Sequence, residues 1–333
     1  MLRISDSGHQ DPLATSIRQK IAKRFIAFTV LLLIATVLAA LASVYWFFEL
    51  FGHFTPHYAL AALLFAPALA LLRAWRWAAL ACALMLWNGY PVARLLLQDT
   101  PATVVTQNRF TVFHFNVNMS HEQPQRIVSH LLRNARDIDV VVLFEATTDF
   151  DTVLGAIKEN FPHQIQHLQD SPFGIAIASK HAFDLGAISR EPSRFFPHIE
   201  ATIKLPGRAL PLALFAVHAP PPVSGELAND RNDKLAHIAR KSAAQSAMTP
   251  VVVGDFNMTP WSPYFQRFIA DSGLRDARTP RRFDHTWPVT FDNANLGLAV
   301  DHSFAHPSLQ LIKRVIGPDL GSDHLPVTVT FAY

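Results

Sequence analysis

In the first third of the chain the apolar residues run together, whereas beyond residue 109 they alternate with polar ones. Residues 25–51 form an apolar stretch broken by Glu49, residues 58–72 a second containing Pro67, and residues 77–97 a third with Arg94 near its end. About 20 apolar residues carry a helix across a bilayer, so the first and third are long enough to span and the second is short. Proline is tolerated in such helices. The first stretch is too long for the apolar region of a signal peptide, and no small-residue cleavage site closes it. The predicted organisation is a tail (1–24), a membrane anchor of about three transmembrane helices (25–97), a polar linker (98–108) and one domain (109–333).

Within that domain, period-two runs rich in Val, Ile and Phe predict strands over residues 110–117, 138–144, 174–178, 198–205, 210–217, 251–253, 299–304, 309–315 and 327–331. Helical patterns fall at residues 122–134, 150–160, 225–247 and 261–272. Mixed strands and helices of this kind build sheets covered by helices, an α/β class.

Charge separates the two parts. Residues 1–98 carry eight Lys or Arg against three Asp or Glu, a net of +5, whereas residues 99–333 carry 21 against 23, a net of −2. Proteins that grip a nucleic acid backbone without sequence preference carry a basic footprint, which lowers that reading for the domain. Arg275, Arg278, Arg281 and Arg282 read either as a local basic patch or as a solvated loop. Arg18, Lys20, Lys23 and Arg24 precede the first apolar stretch, and Arg73 and Arg76 lie between the second and third. The positive-inside rule then puts the N-terminus and the second loop in the cytoplasm. Three crossings place the domain outside; a failed crossing reverses that. The single cysteine, Cys82, lies in the third stretch, so the domain has no disulfide.

Polar residues collect where apolar strands end. Asn116 and Asn118 close the first strand, Glu145 follows the second, and His218 ends the run before Ala219-Pro220. Asp255 and Asn257 follow Val251–Val253, Asp301 and His302 interrupt a later strand, and Asp323 with His324 precedes the last. Side chains two apart on a strand point the same way, so Asp255 and Asn257 can share one target. Each has an ordinary alternative: turn former, helix cap, satisfied loop histidine. Acids, amides and imidazoles together suit phosphate chemistry. There is no histidine or cysteine cluster at zinc spacing, no Gly-x-Ser-x-Gly and no Walker-type lysine string.

The strings Phe115-Asn116-Val117-Asn118, Leu143-Phe144-Glu145, Val217-His218, Gly254-Asp255-Phe256-Asn257, Val300-Asp301-His302-Ser303-Phe304 and Ser322-Asp323-His324 occur in that order. In them the chain resembles the endonuclease/exonuclease/phosphatase superfamily of DNase I-like proteins. Its layout is similar to membrane-bound bacterial members. The resemblance implies a four-layer αββα sandwich and a divalent metal, Mg2+ or Mn2+, at the strand ends. It makes Glu145 the principal metal ligand, assisted by Asn116 and supported by Asp323. Asp255 orients or deprotonates the attacking water, and Asn257 holds it or a phosphoryl oxygen. His324, oriented by Asp301, contacts the phosphate, and His218 stands near the leaving group. Asn116 also serves phosphate binding. His302 departs from the tyrosine common at that position, which bears on substrate choice.

The expectation is therefore a multi-pass inner-membrane protein with a periplasmic catalytic domain that hydrolyses phosphate esters, as phosphodiesterase or phosphatase, with metal-activated water. The bilayer and a phosphoester are its expected partners, and no protein partner is predicted. The alternatives are a metal-dependent nuclease acting on DNA and a non-catalytic anchored binding domain.

Overall fold

The computed structural model describes residues 12–97, 108–278, 284–288 and 297–333, with side chains from residue 16. The expected linker apart from Asn108, the start of the expected tail, Arg281 and Arg282 lie outside the described residues. The chain divides into two compact units, Met1–Leu95 and Leu96–Tyr333.

The first unit is helical: α1 (Pro12–Ala40), α2 (Trp46–Gly52), α3 (Thr55–Leu71) and α4 (Trp75–Leu96). Within α1, Ser16–Ala40 is long and apolar enough to cross a membrane, and so is α4; α2 and α3 are bent by 52° and make a third crossing only as one broken span. The apolar stretch 25–51 is thus not one helix. The first helix ends at Ala40, residues 41–44 turn, Tyr45 is extended, and the remainder folds as α2. Small residues let these helices approach closely: Ala62, Ala66, Ala78 and Ala81 are buried. Asn88 donates to Thr36 Oγ1 at 3.0 Å, tying α4 to α1.

The second unit begins with β1 (Arg109–Asn116), α5 (Pro124–Arg133), β2 (Val140–Phe144), a short 3-10 turn and α6 (Asp151–Ile157). Next come β3 (His163–His167), β4 (Ile175–Ser179), β5 (Phe183–Ser189), β6 (His198–Ile203) and β7 (Leu212–His218). The chain continues through α7 (Gly225–Ala243), β8 (Thr249–Asp255), α8 (Pro263–Ser272), β9 (Arg275–Asp276), β10 (Asp301–Ala305), β11 (Gln310–Ile316) and β12 (Val327–Ala332). One six-stranded sheet runs β11-β12-β1-β2-β4-β3, the other β5-β6-β7-β8-β10-β9.

Alternation along the strands sorts the apolar residues into three layers of packing. Phe110, Val112, Val140, Val142, Leu214, Val251, Val253 and Val329 meet between the sheets. Phe113, Phe115, Val141 and Leu143 pack outward beneath Ile127, Leu131 and Val153 of α5 and α6. Phe215, Val252 and Phe304 pack outward beneath Leu235, Ile238, Phe265 and Phe268 of α7 and α8. The result is the four-layer αββα sandwich. Each sheet has one parallel pair, β1 with β2 and β7 with β8, bridged by α5 and α7 respectively. In α/β sheets ligands gather beyond the carboxyl ends of such strands.

Three strands were not predicted, β3, β5 and β9, and all are at sheet edges. His163-Gln-Ile-Gln-His167 has one apolar residue, and most of β5 is exposed. An edge strand buries too little to need the apolar alternation that marks central ones.

Candidate active site

On four strands the alternation that fills the inter-sheet core continues with polar side chains at one end. β1 follows Phe110 and Val112 with His114 and Asn116; β8 follows Val251 and Val253 with Asp255; β7 follows Leu214 and Ala216 with His218. Asp301 and Ser303 take the same face of β10. Cα register sets His218 and Asp301 on either side of Asp255. Asn116 and Glu145 come from the other sheet, so the site is built across the gap between the sheets.

Backbone conformation aims several of these groups. Asn118, Glu145 and Asn257 have φ of +62°, +58° and +48°. Left-handed conformations in non-glycine residues cost on the order of 1–3 kcal/mol each and persist where surrounding structure imposes them. Gly254 is required for another reason: a Cβ there would lie 1.7 Å from the carbonyl oxygen of Val217, so the parallel strands β7 and β8 could not pair beside Asp255.

The Asn116 amide donates to Glu145 Oε1 at 2.9 Å and to Asp255 Oδ2 at 3.0 Å, linking the two sheets. Glu145 Oε2 accepts from the Met119 amide at 3.1 Å. His218 Nε2 lies 3.8 Å from Glu145 and 3.6 Å from Asp255. His324 Nε2 lies 3.7 Å from Asp255, while its Nδ1 bonds Asp301 at 2.9 Å. All eight predicted residues therefore fall in or beside one cluster.

Three of them differ in detail from expectation. Asn257 does not share Asp255's target through its side chain, because β8 ends at Asp255 and the left-handed turn redirects it. Its amide donates to Ala219 O at 2.9 Å, and its backbone N–H to Asp255 Oδ1 at 2.9 Å. Asn116 meets the carboxylates as a donor, its oxygen accepting from Asn118 N at 3.0 Å, so it is not placed as an oxygen ligand. Asp323 accepts from Asn118 Nδ2 at 2.8 Å and from Trp287 Nε1 at 2.9 Å, and bonds neither Glu145 nor Asp255.

Electrostatics divide the roles. Asp255 is raised to about 6, first by burial and then by the Asp301 charge, against the pull of His324, His218 and the Asn116 amide. Burial opposes protonation of His324, but Asp301 and Asp255 override it and raise the imidazole to about 10. Asp301 goes the other way: burial would raise it, and the His324 imidazolium brings it below the usual carboxylate range. These carboxylates favour the imidazolium form of His324.

The donor set fits a hard divalent cation. Oxygen ligands are present, and the buried Asp255 carboxylate resists ionisation without added positive charge, the condition a cation relieves. Asp255, Asp301 and His324 also bring ligand atoms within 4.8 Å of one another. Within that trio Asp301 and His324 already hold each other at 2.9 Å. Glu145 and Asp255, bridged by the Asn116 amide, are a second pair of carboxylates able to face a cation.

Several supporting residues carried no signal of function. Buried Arg314 donates to the Asp301 carbonyl at 2.9 Å and pairs with Asp284 at 3.2 Å. His114 Nε2 meets Ser303 Oγ at 2.8 Å beneath the site. Ser322 Oγ donates to Asn116 O at 2.8 Å and accepts from His324 N at 3.1 Å, fixing the loop before β12. His302 points away from the cluster, into the rings of Phe256 and Phe265, with Nε2 against Met258 O at 2.8 Å.

A family model described as Endonuclease/Exonuclease/phosphatase family matches residues 113–324, the span that contains every residue of this cluster. The chain belongs to that family. Membership places it, in the coarse sense, among phosphoester hydrolases. No curated protein matches the chain by sequence. Among solved structures it is similar to an endonuclease/exonuclease/phosphatase from Beutenbergia cavernae, with 18% identity over 68% of this chain and 72% of that one and a TM-score of 0.54. It is also similar to a mannosyl-6-phosphatase from Bacteroides thetaiotaomicron, with 17% identity over 67% and 100% of the two chains and a TM-score of 0.54. A third, sphingomyelinase C from Streptomyces griseocarneus, has 17% identity over 68% and 100% and a TM-score of 0.51. At these identities the likeness carries the fold.

Proposed function

We propose that the protein is a divalent-metal-dependent hydrolase of phosphate esters, a phosphodiesterase or phosphatase, in which water attacks phosphorus directly. The observation that carries this reading is the Asp301–His324–Asp255 line, 2.9 Å and 3.7 Å at its two steps, ending beside Glu145 and Asn116. Glu145, with Asp255 adjacent, would hold a Mg2+ or Mn2+ ion, which would supply positive charge against the phosphate and make water more acidic.

The residues do the rest. Asp255, ionised above about pH 6, accepts the proton of the attacking water. His324 keeps its proton because Asp301 holds Nδ1, and it presents Nε2–H to a phosphoryl oxygen, where negative charge develops. His218, on the far side of the Glu145–Asp255 pair, stands where a leaving oxygen takes up a proton. Asn116 keeps the two carboxylates in register, and Asn257 braces the turn that carries Asp255.

The apolar helices support a further reading, that the protein is anchored in the inner membrane by several passes with the catalytic unit periplasmic. The bilayer is then its one standing partner. Reporter fusions after Tyr333 test this: activity from an export-dependent reporter alone is expected, and signal from a cytoplasm-specific reporter alone refutes it. For the chemistry, the full chain is assayed on para-nitrophenyl phosphodiesters, phospholipids and plasmid DNA with Mg2+ and with EDTA. Turnover of a phosphoester that disappears on chelation and in Glu145→Ala is expected. Turnover indifferent to both overturns the reading.

A further inference from the structure

Beside His218 the site is bounded by aromatic rings rather than by polar groups. The Phe173 ring lies 5.5 Å from the His218 ring, Phe196 4.6 Å from Phe173, and Phe195 6.5 Å from Phe196. This chain of contacts leads from the catalytic imidazole to the surface, where Phe195 is 77% exposed. A large apolar side chain so exposed costs solvation, and here it continues a wall that starts at the reacting centre.

The segment that carries Phe195 and Phe196, between β5 and β6, is fastened from below by one buried cation. Lys234 of α7 is 0% exposed. Its ammonium donates to the Phe196 carbonyl, to the Glu191 carbonyl at 3.3 Å and to His198 Nδ1 at 2.9 Å. Since Nδ1 accepts, His198 carries its proton on Nε2, which donates to Glu200 at 2.8 Å; Glu200 in turn binds Lys241 at 2.6 Å. An ammonium has three donors, and Lys234 directs two of them to the two ends of the aromatic segment. The exposed side of the same segment is held where Arg190 meets the Arg194 carbonyl at 3.1 Å and His167 at 3.0 Å.

We propose that Phe173 and Phe195, backed by the buried Phe196, form a subsite for an apolar hydrocarbon group on the phosphoester, and that Lys234 is the positioning residue that holds this wall against His218. The inference rests on the phosphoester reading and gives it a substrate class: amphiphilic esters, with phosphate at the polar cluster and hydrocarbon along the rings. A polynucleotide is disfavoured because the unit bearing the site has a net charge of −2 over residues 99–333.

The test compares n-octyl and methyl para-nitrophenyl phosphate, which share one leaving group, using the full chain in amphipol. The octyl ester is expected to exceed the methyl ester in kcat/KM by roughly tenfold or more, given that each buried methylene is worth up to about fourfold. Phe195→Ala, on the surface and away from the reacting atoms, is expected to cut that ratio severalfold by lowering the octyl ester more than the methyl ester, and Phe195→Leu to restore most of it. Lys234→Met is expected to lower the ratio likewise; should it fail to fold, the Phe195 variants decide alone. An octyl-to-methyl ratio near one, a ratio untouched by Phe195→Ala, or preference for a thymidine para-nitrophenyl phosphate over the octyl ester overturns the subsite. Calorimetric binding of n-octyl phosphate separates the two readings. Binding that depends on Phe195 without turnover of any ester overturns the hydrolase and leaves the subsite; turnover that ignores Phe195 does the reverse. Phosphatidylglycerol vesicles as substrate distinguish a membrane lipid from a free amphiphile, and Phe195-dependent turnover of either supports the subsite.

Discussion

Two imidazoles flank Asp255 at nearly equal distance, His218 at 3.6 Å and His324 at 3.7 Å, yet they sit in opposite surroundings. His324 is clamped through Nδ1 by the buried carboxylate of Asp301, a residue whose backbone carbonyl accepts from Arg314 and which is fixed by its place in β10. His218 is packed against Phe144 and Phe173, and its Nδ1 has no hydrogen-bond partner among the described residues. A clamped imidazole has a fixed tautomer and a fixed charge, and suits a constant electrostatic task. One packed among phenyl rings is tied to no such partner and is set apart for the leaving group. The difference shows how one carboxylate can be served by two histidines with separate duties.

The comparison is most severely tested at the clamped side. His324→Ala is expected to lower kcat by roughly 10³-fold, within the range for a positioned acid or base, with substrate KM little changed. Asp301→Asn should lower it by about 10- to 100-fold, as removal of a group that orients another does. The same substitution should move the alkaline limb of the kcat/KM profile toward acid, because Asp301 is the main attraction keeping the His324 proton up to about pH 10. An Asp301→Asn profile that superimposes on wild type would show the clamp to be structural only.

His218→Ala comes next, at roughly 10²-fold on esters with poor leaving groups. With para-nitrophenol, which needs no proton to depart, the loss should shrink toward tenfold or less. Equal losses on both kinds of ester would remove the leaving-group assignment and make the two histidines equivalent.

Stability against pH sharpens the same contrast. The His324 pKa is raised above its ordinary 6.5, so its share of stability is whole below 6.5 and is lost as pH rises through about 10. Asp301 is lowered from its ordinary 3.8, so its share is present above that and is lost as pH falls through the lowered value. Asp255 has the opposite sign from Asp301: raised to about 6, it stabilises when protonated, and that share is lost as pH rises from 3.8 through 6. A cation bound beside it favours the ionised form, so Mg2+ should raise the melting temperature at pH 8 by more than at pH 5. Thermal scans of wild type and Glu145→Ala at both pH values check this, and an equal rise at both would place the cation elsewhere.

The clamped side was the more legible in sequence, and the reason is geometric. Asp301, Asp255 and Asn116 stand on strands whose apolar alternation is strong, so a polar residue at the next inward position is conspicuous. Arg314 was hidden because β11 slips register between Leu311 and Lys313, and a bulge turns the following residues to the other face. Arg314 is therefore buried while its neighbour Lys313 stays exposed. The aromatic side was illegible for a different cause: Phe173, Phe195 and Phe196 lie in connections, where no period predicts a direction. Lys234 reads as an ordinary polar position of α7, and only the packing of α7 on β6 makes it a core cation. The apolar helices of the first unit were legible in composition but not in their breaks, since a run of apolar residues does not say where a helix stops.

The smallest expected effect concerns the rim of the clamped side. Trp287, 37% exposed, donates Nε1–H to Asp323 at 2.9 Å, and its ring lies 6.4 Å from that of His324. Trp287→Phe keeps a ring there and removes the donor. Asp323 keeps its other partner, Asn118, at 2.8 Å. One hydrogen bond to a charged group is worth about 1.5–3 kcal/mol when buried, and solvent at this half-open position replaces most of it. The expected result is a change of threefold or less in KM, with kcat and the alkaline limb unmoved, because the Asp301–His324 bond does not pass through Trp287. A shift of the alkaline limb in Trp287→Phe would mean that the Trp287 bond governs how strongly Asp323, beside Asp301 and Asp255, holds the proton on His324.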